Sequence, residues 1–344
     1  MQIEPFGECE LGPVQRLVVG GAPRPELHLL DLGATTHQLH VTCGDGQRRN
    51  VVLGHPTGQD HLDRAYYVGS SIGRYANRIA AGRFPLDGRV VEVGAHDRGN
   101  HLHGGPDGFD RRIWDVVDGD ADSLVLHLHS PDGDQGFPGN LEVRATFTVL
   151  DDGVRVEYAA TTDAATVVNL TSHAYFNLGG EGSGSAEDHL LQVEAQGYLS
   201  VDETGIPRGG TGPVAGTPFD FRSATTVARS VRADHPQTRR GQGIDHTFAI
   251  DGEGWRRMAS LESQRTHTRL SLYADQPGLQ VYTGNFLDGT VPGSSGGLYR
   301  QGDGIALEPQ LFPDTPNRPE FGSSVLRPGE TYGATIEWRF AEAT

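Results

Sequence analysis

The sequence is dominated by short segments in which apolar and polar residues alternate with period two. Residues 141–149 and 154–158 both follow this pattern, and Asp151-Asp152-Gly153 lies between them. Period two places successive side chains on opposite faces of a β-strand. An Asp-Gly pair between two such segments is typical of a tight hairpin turn. We therefore expect a β-hairpin here.

The same pattern recurs along the chain. Residues 86–93 predict a second hairpin around Asp87-Gly88, and the pairs Asp118-Gly119, Asp251-Gly252 and Asp288-Gly289 predict further turns. At the C-terminal end, residues 336–340 alternate Ile, Trp and Phe with Glu337 and Arg339, which predicts a strand with one buried face. Only residues 223–234 suggest a helix.

This organisation predicts an all-β protein, a large antiparallel β-sandwich or barrel. The 48 glycines among 344 residues agree with many turns. The glycine-rich segment Gly179–Gly184 is interpreted as a loop, because no linker or internal repeat is visible. We expect residues 1–344 to form a single domain.

The net charge and the cysteine content disfavour some classes of function. A formal net charge of -17 disfavours binding to nucleic acid or to an anionic membrane surface, and a neutral substrate fits it better. The two cysteines, Cys9 and Cys43, are expected to be reduced thiols of a cytoplasmic protein. The N-terminal residues do not resemble a secretion signal, and no segment approaches the ~20 apolar residues of a membrane helix.

Five segments place polar side chains inside apolar, strand-like surroundings. They are Gly73–Ile79, Asn100–Gly105, Asn169–Asn177, Asp245–Phe248 and Leu307–Gln310, the last continuing to Asp314. Within the last segment, Glu308 lies between Leu307 and Pro309. An apolar setting raises the pKa of a carboxyl group, which suits a general base.

The histidines and Glu308 also fit a metal site. His101 and His103 are two apart and are expected to share one face of a strand, as are His127 and His129. Such histidines, with a distant histidine and Glu308, could hold a metal ion in a three-histidine, one-carboxylate site. Cupins place a glutamate soon after the His-x-His pair, whereas Gly104–Asp107 follows here. No Gly-x-Ser-x-Gly hydrolase elbow and no dinucleotide-binding glycine motif is present.

Taken together, the segments resemble the aldose 1-epimerase (galactose mutarotase) family. Seven motifs match in the family's order and approximate spacing, from Gly73 to about Pro328, and the first ~60 residues match only loosely. The matching motifs are Gly73–Gly82, Leu102–Gly105, the run 173–178, Gly216–Asp220, Asp245–Phe248, Gln280–Asn285 and Leu307–Gln310. The resemblance implies a large antiparallel β super-sandwich.

The resemblance also implies a reaction, the interconversion of α and β anomers of free aldoses by ring opening and closure. It implies Glu308 as the base and His173 as the acid. His103 would hydrogen-bond near the ring oxygen. The remaining residues would bind the sugar: Asn77, Arg78, Tyr175, Asp245 and Gln280. No cofactor and no metal ion is required, and the partner is a free monosaccharide.

Several questions stay open at the level of sequence. Ser172, Ala174 and Leu311 depart from residues common in the family, which leaves the preferred sugar undetermined. The protein could be a monomer or a homodimer. A relative acting on hexose 6-phosphates needs a basic phosphate pocket, for which Arg98, Arg111 and Arg112 are candidates. A sugar-binding module without catalysis is the third alternative, and the presence of both Glu308 and His173 disfavours it.

Overall fold

A computed structural model describes residues 1–63 and 66–343 of this protein. In this part of the chain the secondary structure is mainly β. The strands, in chain order, are β1 (Gln2–Cys9), β2 (Gly12–Gly20), β3 (Glu26–Leu30), β4 (Thr35–Thr42), β5 (Arg48–Asn50), β6 (Ser71–Ile72), β7 (Arg78–Ile79), β8 (Arg83–Leu86), β9 (Arg89–Glu92), β10 (His101–Leu102), β11 (Asp115–Gly119), β12 (Ser123–Ser130), β13 (Leu141–Val149), β14 (Gly153–Thr162), β15 (Thr166–Val167), β16 (Thr171–Ser172), β17 (Tyr175–Phe176), β18 (Leu190–Val193), β19 (Gly197–Tyr198), β20 (Gly212–Pro213), β21 (Thr225–Thr226), β22 (Asp245–Ala249), β23 (Arg256–Ser263), β24 (Thr268–Ala274), β25 (Gly278–Tyr282), β26 (Asp288–Pro292), β27 (Leu298–Arg300), β28 (Ile305–Gln310), β29 (Val325–Leu326) and β30 (Tyr332–Glu342). The α-helices are α1 (Gly58–Asp63), α2 (Val227–Val231) and α3 (Pro236–Gly241), and short 3-10 turns cover Ala80–Gly82, Phe109–Arg111, Asp134–Gly136, Thr315–Asn317 and Pro319–Phe321.

Three larger antiparallel sheets form the body of the fold. The first has the strand order β1-β2-β3-β4-β5. The second has nine strands in the order β11-β12-β13-β14-β30-β24-β23-β18-β21. The third has six strands in the order β17-β28-β25-β22-β19-β20. The expected all-β antiparallel architecture is confirmed.

The three sheets share one apolar core. Leu27 of β3, Val143 of β13 and Val281 of β25 all belong to the same buried cluster. Phe176 of β17 packs edge-on against Trp338 of β30, with ring centroids 5.3 Å apart. The inward positions alternate along each strand, as the period-two pattern predicts. The side chains on the opposite faces of the sheets do not pack in this core, so they can serve other functions.

The two predicted hairpins are confirmed. Val149 of β13 lies opposite Val154 of β14, and Leu86 of β8 lies opposite Arg89 of β9. Two other turn predictions are wrong, because Asp118-Gly119 ends strand β11 and Asp288-Gly289 begins strand β26. An Asp-Gly pair permits a tight turn. It does not force one where a neighbouring strand can hydrogen-bond to its backbone.

Two further expectations need correction. In β30, Glu337 is 1% exposed although it lies between the apolar positions, and Arg155 and Arg339 both bond to its carboxylate. The short helix expected within residues 223–234 is present as α2 (Val227–Val231), but it begins later than expected. Thr225 and Thr226 pair with β18 as strand β21, so that α2 begins only at residue 227 and α3 follows separately. The pairing of β21 with β18 satisfies backbone N–H and C=O groups that the first turn of an earlier helix would have used.

Cys9 is half-buried and Cys43 is buried, and both are free thiols. The segment Gly179–Gly184 contains no strand or helix, as expected for a loop. Within residues 1–63 and 66–343, no helix has both the length and the apolar character needed to cross a membrane.

Candidate active site

The six-stranded sheet presents four of the predicted site residues on one face, namely Tyr175 of β17, Asp245 of β22, Gln280 of β25 and Glu308 of β28. In β25, Val281 points into the shared core, and its neighbour Gln280 therefore points to the opposite face. In β28, Leu307 belongs to the core and Glu308 faces away from it. Gln280 lies directly opposite Glu308 in the strand register, and Asp245 comes from the adjacent strand β22. The alternation of side chains along each strand and the register between the strands bring these polar groups together on one face of the sheet.

A second wall comes from the turn that precedes β7 and the loop after β10. Asn77 and His103 both have left-handed backbone angles, with φ of 64° and 50°. They bond to each other twice, since the Asn77 N–H donates to Nδ1 of His103 at 3.2 Å and the His103 N–H donates to the Asn77 carbonyl at 3.1 Å. Because Nδ1 accepts a hydrogen bond, the neutral ring carries its proton on Nε2. His103 therefore offers a donor at Nε2.

The prediction that His101 and His103 share one face of a strand is wrong. His101 bonds through Nδ1 to the Val93 carbonyl at 2.7 Å, whereas the left-handed turn at His103 sends its ring elsewhere. Gly104 completes this turn with φ of 88°, and a Cβ atom there would lie 1.7 Å from the Gly73 carbonyl oxygen. Only glycine fits this position.

His173 and Tyr175 form the third wall. His173 lies between β16 and β17, and its ring is 4.9 Å from that of Tyr175, centroid to centroid. The Tyr175 hydroxyl donates to the Tyr66 carbonyl at 2.9 Å, so its proton is already engaged by the backbone. The Tyr67 ring lies 4.6 Å from His103 and 5.8 Å from His173, so it is in contact with both imidazoles.

These walls enclose a cavity of about 460 Å³, a volume in the range of small-molecule sites. All eight predicted site residues line it: Asn77, Arg78, His103, His173, Tyr175, Asp245, Gln280 and Glu308. The structure thus brings the whole predicted set together from six separate segments of the chain.

Glu308 and His173 form the most buried titratable pair of the cavity. Their side chains are almost fully buried, and Nε2 of His173 lies 3.6 Å from a carboxylate oxygen of Glu308. Within the described residues, neither the second carboxylate oxygen nor Nδ1 of His173 has a hydrogen-bond partner. Burial raises the pKa of the Glu308 carboxyl well above its usual value, and the nearby Asp245 adds to this. Burial lowers the pKa of His173 to about 4.

Hydrogen bonds hold the polar groups opposite this pair. The Gln280 amide donates to the Asp245 carboxylate at 2.6 Å, and the Thr247 hydroxyl donates to the Gln280 carbonyl oxygen. Arg78 donates through Nε to Asp97 at 2.8 Å. Each of these side chains keeps further donors or acceptors for a ligand, and its orientation is fixed before a ligand arrives.

The same residues satisfy the spacing of a metal site. His103, His173 and Glu308 each offer one ligand atom, and these atoms lie within 4.8 Å of one another. Two imidazoles and one carboxylate are a donor set that Zn²⁺ accepts. The geometry therefore fits both an acid–base pair and a metal ion, and a chelation experiment has to separate them.

Comparison with known proteins adds an independent observation. The sequence model of the aldose 1-epimerase family matches residues 22–339. The chain belongs to this family. The match begins well before Gly73, so the sequence motifs underestimated how far the resemblance extends towards the N-terminus.

Relatives of the chain within this family cover nearly its whole length. It is 43% identical over 317 residues to the aldose 1-epimerase of Escherichia coli K12, covering 91% of each chain. It is 40% identical to human galactose mutarotase over 318 residues, or 92% of this chain and 91% of the relative. Among solved structures, the GalM/aldose epimerase homologue of C. elegans has a TM-score of 0.89, 29% identity and coverage of 96% and 99%. Galactose 1-epimerase of Lactobacillus acidophilus has a TM-score of 0.87, 30% identity and coverage of 100% and 99%.

The three departures from common residues of the aldose 1-epimerase family lie outside the cavity lining. Ser172 ends the buried strand β16, and Ala174 is packed in the shared core. Leu311 is half-buried, and its N–H donates to the Asn169 side chain at 3.0 Å. These three side chains therefore do not line the surface that a bound sugar would touch, so the expected influence on sugar preference has no direct contact behind it.

Nine further lining residues of this family member were not assigned to the sugar site from the sequence, although Arg98 was a candidate for a phosphate pocket. They are Tyr66, Tyr67, Asp97, Arg98, Leu102, Arg240, Gln242, Tyr282 and Phe286. Two signals were available. Asp97 and Arg98 lie just before the Asn100–Gly105 motif, and Tyr282 lies inside the Gln280–Asn285 motif. The tyrosines at 66 and 67 and the residues at 240 and 242 lie outside every motif, so only folding reveals them.

The arginines considered for a phosphate pocket are placed differently. Arg98 lines the cavity, where its Nε lies 3.5 Å from Asp97. Arg111 and Arg112 lie outside the lining, and Arg112 is ion-paired with Asp134 at 2.8 Å. Each of these side chains already has an acidic partner, since Arg111 also pairs with Glu10. The described residues thus do not gather them into a basic phosphate pocket.

Proposed function

We propose that this aldose 1-epimerase family member interconverts the α and β anomers of free aldoses, with Glu308 as the base and His173 as the acid. The observation that carries the proposal is the contact between these two side chains, 3.6 Å apart in a cavity that all eight predicted site residues line. A base and an acid this close can act on two adjacent oxygens, and the anomeric hydroxyl and the ring oxygen are both bonded to C1.

In this reaction each proton that one group gives up is taken by another. The Glu308 carboxylate removes the proton of the anomeric hydroxyl, the C1–O5 bond breaks as C1=O1 forms, and the His173 imidazolium gives its proton to O5. The open-chain aldehyde then rotates about C1–C2. On closure, O5 attacks the other face of C1, His173 takes back the O5 proton, and Glu308 returns its proton to O1.

The electrostatics of the pair suit this cycle. Glu308 and His173 together hold one proton throughout, either as carboxylate and imidazolium or as carboxylic acid and neutral imidazole. Burial raises the pKa of Glu308 and lowers that of His173, so the neutral form is favoured without a ligand. The sugar hydroxyl and Arg78 stabilise the carboxylate when the ring is closed. Both forms are needed, one before and one after ring opening.

His103 supports the developing charge without changing its own protonation. Burial and the neighbouring His173 keep its pKa well below the usual value, so the ring is neutral. With Nδ1 occupied by Asn77, its Nε2–H is free to donate to an oxygen. We assign this donor to the ring-oxygen side, where it stabilises O5 during cleavage.

Four side chains serve as the sugar clamp in this proposal. Arg78 and Asp245 offer charged groups, and Asn77 and Gln280 offer amides, so that hydroxyl groups find both donors and acceptors. Tyr175 contributes its ring to the wall, since its hydroxyl is bonded to Tyr66. Fixing the hydroxyls orients C1 between the acid and the base.

The cell compartment and the partners follow from the same reasoning. We infer a cytoplasmic protein, because Cys9 and Cys43 are both free thiols. We infer a neutral monosaccharide as its partner, because the net charge of -17 repels nucleic acid and anionic lipid. It acts as a monomer or a homodimer in this proposal. Neither the mechanism nor the clamp requires a cofactor.

The test is polarimetry of freshly dissolved sugars. Glucose, galactose, xylose and arabinose are compared with glucose 6-phosphate, each corrected for spontaneous mutarotation. We expect catalysis of one or more free aldoses and a lower kcat/KM for the phosphate. A clear preference for the phosphate, or sugar binding without any rate above buffer, would overturn the proposal.

A further inference from the structure

A second cluster of metal-ligating side chains lies on the five-stranded sheet, which contributes no residue to the lining of the sugar cavity. Glu26 and His28 are two residues apart on β3, and Glu26 lies directly opposite His40 of β4. Alternation puts all three on the face opposite to Leu27 and Leu39, which are in the core. One ligand atom from each of the three lies within 4.8 Å of the others.

The local contacts leave these ligand atoms available. His28 Nε2 is 2.9 Å from a Glu26 carboxylate oxygen, and the ring centroids of His28 and His40 are 5.2 Å apart. Nδ1 of His28 is buried, and it has no hydrogen-bond partner in the part of the chain that the structure describes. His40 Nε2 is 3.2 Å from the Gln38 amide oxygen, at the long end of hydrogen bonding.

We propose that Glu26, His28 and His40 bind a divalent transition-metal ion, with Zn²⁺ as the best match. Two imidazole nitrogens and one carboxylate oxygen are ligands that Zn²⁺ prefers, whereas Mg²⁺ and Ca²⁺ prefer oxygen ligands. Three protein ligands leave one tetrahedral position for water. With bonds of about 2.0–2.2 Å, the ligand atoms must approach to roughly 3.4 Å of one another. Rotation of these half-buried side chains supplies that closure.

Charged groups near the three ligands determine the affinity that we expect for the metal ion. Arg48 opposes binding, because its guanidinium lies 3.9 Å from the Glu26 carboxylate. We therefore expect micromolar rather than nanomolar affinity, and removal of the Arg48 charge should strengthen it. A bound ion would join β3 to β4 and stabilise the folded state.

The experiment uses the full chain after EDTA treatment and buffer exchange, with Zn²⁺ alone as the probe in isothermal titration calorimetry. The double variant His28→Gln/His40→Gln should lose at least about tenfold in Zn²⁺ affinity. Arg48→Met should gain several-fold. The matched control is His127→Gln/His129→Gln, which removes two histidines that share Glu142 on exposed strand positions and should leave binding unchanged. Mutarotation by all these variants should match that of the wild type.

Thermal unfolding with and without Zn²⁺ provides a second readout. The wild type should gain in Tm on addition of Zn²⁺, and the His28→Gln/His40→Gln variant should not. Circular dichroism verifies that each variant is folded. The proposal is overturned if wild type binds no Zn²⁺ at 1 mM or if the double variant and Arg48→Met both bind like the wild type, which would place binding at His103, His173 and Glu308. A loss confined to the His127/His129 control would also overturn it.

Discussion

Nε2 of His173 lies 3.6 Å from a carboxylate oxygen of Glu308, and each side chain brings an oppositely shifted pKa to that contact. In the proposed mechanism the two groups act as one titrating unit that carries a single proton. A sugar whose O1 and O5 are bonded to the same carbon can exchange protons with both. The first predictions below test this unit.

Glu308→Gln should lower kcat on the order of 10³-fold and change KM far less. Glutamine keeps the size and one acceptor oxygen, so the sugar still binds, but it cannot accept the anomeric proton. Polarimetric kinetics measure the change, and calorimetry measures sugar affinity. Glu142→Gln, at an exposed glutamate of β13, is the control and should behave like the wild type. Near-normal turnover by Glu308→Gln would show that another group is the base.

The pH dependence of kcat/KM should be bell-shaped, because activity requires the pair to hold one proton. The acidic limb should fall near pH 4, where His173 gains a proton while Glu308 is already protonated. The alkaline limb should lie well above the usual carboxyl range, where the pair loses its only proton. Rates from pH 3.5 to 10 at constant ionic strength, corrected for spontaneous mutarotation, give both limbs. A flat profile between pH 4 and 9 would contradict a titrating pair.

Asp245→Ala and Arg78→Ala should raise KM, with a smaller fall in kcat through lost orientation. Removal of Asp245 also leaves the Gln280 amide without the carboxylate that accepts its hydrogen bond at 2.6 Å. The contacts of Asp245 and Gln280 with the sugar hydroxyls should therefore weaken together. The control is Arg112→Ala, which removes an arginine ion-paired outside the cavity and should leave both constants unchanged. If the two clamp variants keep the wild-type KM, the sugar is held elsewhere.

Exhaustive EDTA treatment should leave mutarotation intact. In the proposed mechanism His103 donates a hydrogen bond and His173 transfers a proton, so neither needs a metal ion. Activity and zinc content are measured on the same treated sample. Loss of activity that Zn²⁺ or Mn²⁺ restores would favour the metal alternative, for which His103, His173 and Glu308 have suitable spacing.

His246 should make the fold less stable as the pH falls below about 6.5, the ordinary pKa of histidine. Burial lowers its pKa to about 3 in the folded protein. Its Nε2 bonds to the Gln237 amide at 2.9 Å, and its Nδ1 accepts the Asp245 N–H at 3.1 Å. Between pH 3 and 6.5 the unfolded chain therefore binds more protons, so the free energy of unfolding declines with falling pH, by about 2 kcal/mol at pH 5 from this residue.

Urea unfolding at pH 7.5 and 5.0 tests this contribution. The wild type should lose about 2 kcal/mol more than His246→Gln between the two pH values, whatever the starting stability of the variant. Other buried histidines, such as His37, affect both proteins equally. Equal losses in the wild type and the variant would mean that His246 does not titrate as its burial indicates.

Much of the site was predictable because its chemistry is local in sequence. Glu308 lies between Leu307 and Pro309, and that setting predicted a buried carboxylate, which the structure places at 1% exposure. All eight predicted residues line one cavity. Their assigned roles stay predictions until the kinetics are measured. Residues outside motifs, such as Tyr67, gave no sequence signal because their contact with the two imidazoles is made by the turn that precedes β6.

The sequence by itself determined the strand content and the hairpins at residues 149–154 and 86–89, since alternation is a local property. The resemblance to the family implied the eight residues that line the cavity. Only the tertiary structure decided which strands pair. The register that sets Gln280 opposite Glu308, the left-handed turn that separates His103 from His101, and the conversion of a predicted helix start into strand β21 all depend on partners distant in the chain. Backbone hydrogen bonds and burial against those partners outweigh local preference.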